Sequence, residues 1–139
     1  MQIDAYLLFD RDCADAMRFY QKLLGGKLDI IRNGESPAAA QTPPEAKDLV
    51  MHARLELGEG RSLMASDWMA PYPYEPKKGF SLSLAYPTAE EGKRVFDTLA
   101  EGGKVTMPYG ETFWAKGFGM CTDRFGTPWM VNGAMQTGG

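Results

Sequence analysis

The stretch Phe80-Ser81-Leu82-Ser83-Leu84-Ala85-Tyr86-Pro87-Thr88-Ala89-Glu90-Glu91-Gly92-Lys93-Arg94-Val95-Phe96-Asp97-Thr98-Leu99 decides the fold. Phe80, Leu82, Leu84 and Tyr86 alternate with Ser81, Ser83 and Ala85, the period of a strand with one buried face. Pro87 stops the strand, and Thr88 with Glu91 makes a T-x-x-E capping box at a helix start. Gly92, Val95, Phe96 and Leu99 then recur at helical spacing, and Gly102-Gly103 ends the helix. A half-buried strand therefore feeds directly into an amphipathic helix.

The same order occurs earlier in the chain. An apolar run over residues 3–9 is bounded by Asp10-Arg11-Asp12, with Asp12 placed to cap a helix. Ala16, Phe19, Tyr20, Leu23 and Leu24 form the apolar stripe, and Gly25-Gly26 closes it. Phe19, Tyr20 and Leu23 match Val95, Phe96 and Leu99 at a constant offset of 76, which also pairs Ala5 with Ser81 and Leu8 with Leu84. Short strands are expected at 27–31 and 104–107. Two more follow in each half, at 50–57 and 61–66, then at 118–123 and 127–132. Here an offset of 66 pairs Gly60 with Gly126, Leu63 with Trp129 and Met64 with Met130. A strand–helix–strand–strand–strand order occurring twice is an internal duplication. The expected fold is α+β, with two βαβββ modules (about 1–67 and 79–135, joined by a linker at 68–78) in one domain spanning 1–139. Residues 34–47 read as a mobile loop rich in Pro, Ala and Gln, and the prolines of the linker favour an extended path.

Composition narrows the chemistry. A chain of 139 residues with 44% hydrophobic and 24% charged residues has the make-up of a globular domain. A net charge of −3 gives no counterion-release drive toward nucleic acid, and no apolar run is long enough to suggest a membrane span. With no signal-peptide pattern at the start and only Cys13 and Cys121, neither in a CxxC, the expectation is a cytoplasmic protein with free thiols. His52 is the single histidine, so a His-rich zinc site would need a second subunit. No P-loop, GxGxxG, GxSxG or HExxH pattern occurs.

Five segments carry a family likeness. They are Cys13-Ala14-Asp15-Ala16-Met17-Arg18-Phe19-Tyr20, Met51-His52-Ala53-Arg54-Leu55, Leu63-Met64-Ala65-Ser66-Asp67, Glu111-Thr112-Phe113-Trp114-Ala115 and residues 118–129. With the duplicated βαβββ order, they resemble the PhnB-like group of the vicinal oxygen chelate superfamily, which includes glyoxalases, bleomycin-resistance proteins and extradiol dioxygenases. The resemblance covers nearly the whole chain, and its specific part is the E-T-F-W-A…F-G…D-R-F-G-T-P-W run. It implies strands that curl into a cup with the helices outside, and a homodimer. Metal-dependent members set four His, Gln or Glu ligands on cup-facing strands. Carried over, these positions fall at Ala5, Met64, Ser81 and Met130, which is not a ligand set for a hard or borderline divalent ion. No metal and no cofactor are therefore expected. Some relatives bear a ubiquinone methyltransferase label, but the absence of a glycine-rich cofactor loop after a first strand argues against transferase chemistry.

The remaining candidates come from strand parity. His52, Arg54 and Glu56 alternate with Ala53, Leu55 and Leu57, so the polar trio shares one face. Facing a ligand, Arg54 would bind a carboxylate or phosphate, His52 would act as base or donor, and Glu56 would partner them. Facing solvent or a dimer partner, the trio would serve only cross-strand pairing. Met64, Ser66 and Met130 would line an adaptable apolar floor or simply pack in the core. Trp114 and Phe113 would wall a pocket with Glu111 hydrogen-bonding there, or form a lid or dimer contact. Trp129 and Leu63, of opposite parity, are expected in the core. The expected function is binding of a small-molecule ligand, with no nucleic-acid or membrane partner. The alternative is a glyoxalase- or dioxygenase-type enzyme whose metal sits on His52, Glu56 and Glu111.

Overall fold

The computed structural model describes residues 1–136. The chain divides into two compact units, residues 1–75 and residues from 76 onward, and each repeats the same α+β plan. The first runs β1 (Ala5–Phe9), α1 (Cys13–Leu24), β2 (Lys27–Arg32), β3 (Val50–Gly58) and β4 (Arg61–Asp67). The second runs β5 (Leu82–Tyr86), α2 (Ala89–Ala100), β6 (Lys104–Gly110), β7 (Ala115–Thr122) and β8 (Pro128–Met135). Each sheet is mixed and four-stranded, ordered β1-β4-β3-β2 and β5-β8-β7-β6. In both, the first strand runs parallel to the last and the other pairs are antiparallel. No described helix is long and apolar enough to cross a membrane.

Parity decides what each face meets. In the first unit Leu7, Phe9, Ala53, Leu55, Leu63 and Ala65 are buried, together with Cys13, Ala16, Met17 and Tyr20 of α1. Each large apolar side chain removed from water contributes about 1.5–3 kcal/mol before conformational entropy is subtracted. In the second unit Trp129, Val131 and Cys121 are buried with Phe96 and Leu99 of α2. Leu63 and Trp129 thus take the core positions that parity predicts.

The two helices are anchored to their sheets by different devices. Asp12 is the N-cap of α1, but its side chain makes no cap hydrogen bond. The Cys13 amide donates instead to Asp67 Oδ1 at the end of β4 (3.0 Å), and the Val50 amide donates to Asp67 Oδ2 (2.8 Å). A buried carboxylate thus satisfies an orphan donor of the first helical turn and favours the positive end of the helix dipole. In the second unit Gly133 holds the position matching Asp67, and the Tyr109 hydroxyl donates to the Ala89 carbonyl (2.8 Å). Burial, with Glu90 and Asp97 nearby, raises the Tyr109 phenol above its ordinary pKa. The hydroxyl occupies the space that Cβ atoms on Gly92, Gly117 and Gly133 would fill. The T-x-x-E signal is realised on its Thr side: the Glu91 amide donates to Thr88 Oγ1 (3.1 Å), and that hydroxyl meets Glu91 Oε1 (3.3 Å).

Three features differ from the sequence reading. The loop expected to be mobile holds three 3-10 turns, Asn33–Glu35, Ala39–Gln41 and Pro44–Ala46. Buried Asn33 fastens them: its amide nitrogen donates to the Ala46 carbonyl (2.9 Å), and its backbone N–H donates to the Leu49 carbonyl (2.9 Å). The strands of the second unit are also longer than expected, because β6 runs through Pro108 to Gly110 and β7 begins at Ala115. The third difference is register. Ala5 pairs with Leu63 as Leu82 pairs with Trp129, so the first strands correspond one residue later than the helix offset suggests. The side chains that share a face with Met64 and Met130 are therefore Tyr6 and Ser83, not Ala5 and Ser81.

Candidate functional site

The sheet face of the second unit that points away from α2 carries a cavity of about 670 Å³, within the range that takes a small molecule. Strand pairing builds its floor. Ser83 stands opposite Met130, Met130 opposite Met120, and Met120 opposite Met107, so one row crosses β5, β8, β7 and β6. Asn132 and Phe118 stand opposite each other one step along. Met107 reaches this face only because β6 is irregular. Between Val105 and Met107, and again between Met107 and Gly110, the register slips against β7. Each slip adds a residue and reverses parity, so Met107 turns to the cavity while Tyr109 turns back toward α2.

The wall is aromatic. Phe113 and Trp114 lie in the turn before β7, which is held by the Thr112 amide donating to the Ala115 carbonyl (3.0 Å) and the Gln136 amide donating to the Trp114 carbonyl (2.6 Å). Trp114 meets Phe113 and Phe118 edge-on, at centroid distances of 4.8 and 5.1 Å, the geometry that the ring quadrupole favours. Trp114 Nε1 donates to Asn132 Oδ1 (3.2 Å), and Asn132 Nδ2 reaches Ser83 Oγ and the Leu84 carbonyl, each at 3.5 Å. The lining side chains (Ser83, Met107, Phe113 and Trp114, then Phe118, Met120, Met130 and Asn132) include no ionisable group.

Of the sequence candidates, Trp114 and Met130 line this cavity, and Phe113 joins them. Glu111 is exposed and is not among the lining residues. The other five candidates lie in the first unit, on the sheet face away from α1. His52 Nδ1 and the Tyr6 hydroxyl are 3.0 Å apart, with their rings tilted at 5.7 Å. Arg54 stands opposite both Asp29 and Met64, and its Nε donates to Ser62 Oγ (3.3 Å). Glu56 pairs with Lys27 and Ser62, and Ser66 is buried opposite Leu8. The first unit has its own smaller cavity of about 360 Å³, near Arg11, Arg18 and Arg32 but equally near Asp15, Glu45 and Asp48, so its charges cancel. Among the described residues, no three His, Cys, Asp or Glu side chains cluster as metal ligands would.

Sequence reasoning missed Ser83, Met107, Phe118, Met120 and Asn132. Asn132 was accessible from parity alone, two residues beyond Met130. Phe118 and Met120 follow once the Arg124-Phe125-Gly126 turn sets the β7–β8 register. Met107 was beyond reach, because alternation without the register slips puts it on the α2 side. The residues in register with Met64 and Met130, namely Tyr6 and Ser83, make with them a set of a phenol, two thioethers and a hydroxyl. That donor set does not fit the divalent ions of metal-dependent relatives. Cys121 lies on the α2 side of β7, and burial with Asp123 nearby raises its thiol to about 11, which removes it as a nucleophile near neutral pH.

Comparison with known proteins agrees with this architecture. The Glyoxalase/Bleomycin resistance protein/Dioxygenase superfamily model matches residues 2–131. Protein YjdN of Escherichia coli K12 is 42% identical over 141 residues, covering 95% of each chain. The crystal structure of protein PA1353 from Pseudomonas aeruginosa is 50% identical with a TM-score of 0.86, covering 95% of this chain and 96% of that one. A Bacillus cereus PhnB protein, described as a putative 3-demethylubiquinone-9 3-methyltransferase, is 28% identical with a TM-score of 0.73 and covers 95% and 98% of the two chains. A duplicated βαβββ plan with this strand order, matched along nearly its full length, makes the chain a member of the Glyoxalase/Bleomycin resistance protein/Dioxygenase superfamily.

Proposed function

We propose that this protein binds a small organic molecule in the cavity of its second unit, without a metal ion. One observation carries the reading: a cavity of about 670 Å³ is walled by aromatic and thioether side chains and holds a fixed amide. Apolar lining with a few placed polar groups is the usual make-up of a small-molecule site. Three methionines give a floor that adapts to its guest, while Trp114, edge-on to buried Phe118 and hydrogen-bonded to Asn132, gives a more fixed wall.

The metal-enzyme alternative has a weaker footing. His52 and Glu56 share a strand face but are four residues apart, about 13 Å at the strand rise, too far for one ion to bridge. The ligand positions carried over from metal-dependent relatives fare no better, as described above.

Thermal unfolding in the presence of a neutral aromatic fragment set, with EDTA throughout, tests the proposal. Fragments at about a hundredfold excess over Kd are expected to stabilise the native protein by about 2.7 kcal/mol, and Trp114→Ala is expected to lose most of that gain. Fragments that stabilise Trp114→Ala equally, or only when a divalent metal replaces EDTA, would contradict it.

A further inference from the structure

We propose that the ligand is an uncharged, flat aromatic compound bearing a carbonyl or similar hydrogen-bond acceptor at its rim, and that Asn132 reads that acceptor. This rests on the cavity being the binding site. Charge comes first. Among the described residues no ionisable side chain lines the cavity, so an anionic or cationic guest would give up part of its hydration without gaining a counter-charge. Shape follows from the wall. Trp114 stands edge-on to buried Phe118 and also contacts exposed Phe113, and the cross-strand row of Met130, Met120 and Met107 lies across the floor. A planar ring can pack against that wall while the unbranched thioethers adjust to its outline.

The acceptor is specified by Asn132, which is only 7% exposed. Its Oδ1 accepts from Trp114 Nε1 at 3.2 Å, and this bond fixes which end of the amide is nitrogen. The Nδ2 group then has two contacts, Ser83 Oγ and the Leu84 carbonyl, both at 3.5 Å. Those lengths lie at the outer limit of a hydrogen bond, whereas an amide donor gains most near 2.9 Å. A ligand oxygen at ordinary distance would therefore improve on what the protein supplies. Ser83, on the same face, has a hydroxyl proton to add. The Asn132 amide is a buried polar group in apolar surroundings, so a guest without an acceptor leaves it poorly satisfied.

Equilibrium dialysis of the protein against naphthalene, 2-acetylnaphthalene and 2-naphthoate varies only the rim of one ring system. The ketone is expected to bind about five- to tenfold more tightly than naphthalene, the gain from one buried neutral hydrogen bond, and the carboxylate most weakly. Equal affinities for ketone and hydrocarbon, or tightest binding by 2-naphthoate, would overturn the proposed ligand class. Asn132→Asp keeps an oxygen for Trp114 Nε1 but removes the donor, and it is expected to bring the ketone down to the affinity of naphthalene. A ketone preference that survives in this variant, with native near-UV circular dichroism, would overturn the role of Asn132. Failure of all three compounds to bind, or binding unchanged in Trp114→Ala, would instead overturn the cavity as the site.

Discussion

Two aspartates show how much one side chain can organise. Asp67 accepts from the backbone of α1 and of β3, tying helix start to strand start. Asp123 accepts from the Phe125 and Thr127 amides at 2.9 and 3.0 Å and from Trp129 Nε1 at 2.8 Å, so it sets the β7–β8 turn and orients the largest core ring. Hydrogen bonds to a buried carboxylate are worth more than neutral ones, and losing this acceptor removes three of them. Asp123→Ala is expected to cost about 3 kcal/mol in urea unfolding, and a loss under 1 kcal/mol would show that the turn holds without it. Cys121 makes a pH prediction at the same scale. Its folded thiol sits near 11 against an ordinary 9.0, because burial and Asp123 oppose the thiolate. The unfolded chain therefore gives up this proton first. The contribution is intact below about pH 9 and is lost as pH rises toward 11. The difference in unfolding free energy between native protein and Cys121→Ala should decline over that window, and a flat difference would contradict the assignment.

At the scale of elements, the duplication extends to single contacts. Gly26 follows α1 and lies so close to β3 that a Cβ there would run into the Glu56 carbonyl oxygen. Gly103 follows α2, and a Cβ there would run into the Thr122 carbonyl oxygen, the matching position of β7. Gly26 also has φ +94°, where a side chain adds strain. Gly26→Ala and Gly103→Ala are each expected to destabilise by at least about 2 kcal/mol. A chemical-denaturation midpoint close to native for either would mean that the helix end can shift off its strand. The helices and the order of the strands were legible because they rest on local signals: alternation, helical spacing, a cap and paired glycines. The Asp67 anchor was not, since nothing near Cys13 announces a partner 54 residues away. The first-strand register was misread for a related reason. Helix and strand offsets differ by one residue, and only β1–β4 and β5–β8 pairing reveals the difference. An aromatic cluster and a strand position mark Trp114 and Met130, the two sequence candidates that line the cavity. Met107 was hidden by the slips in β6, which leave no signature beyond Pro108.

At the scale of the molecule, duplication has left two units with one topology and different faces. The open sheet face of the first carries Tyr6, His52, Arg54 and Glu56, a polar and titratable set. That of the second carries thioethers, aromatic rings and an amide around a cavity. The βαβββ plan is kept in both, while Tyr6, Met64, Ser83 and Met130 do not make a donor set suited to a divalent metal. We also propose the homodimer that the family likeness implies, and light scattering that returned a monomer across micromolar concentrations would contradict it. Labelling the methionine methyl groups with ¹³C and titrating 2-acetylnaphthalene in the presence of EDTA shows whether the second unit holds an organic ligand without metal. The methyl resonances of Met107, Met120 and Met130 should shift together with one dissociation constant, while that of Met17, fully buried on α1, stays in place. Shifts that appear only after a divalent metal is added, or that spare these three methyls, would contradict metal-free binding in the second unit.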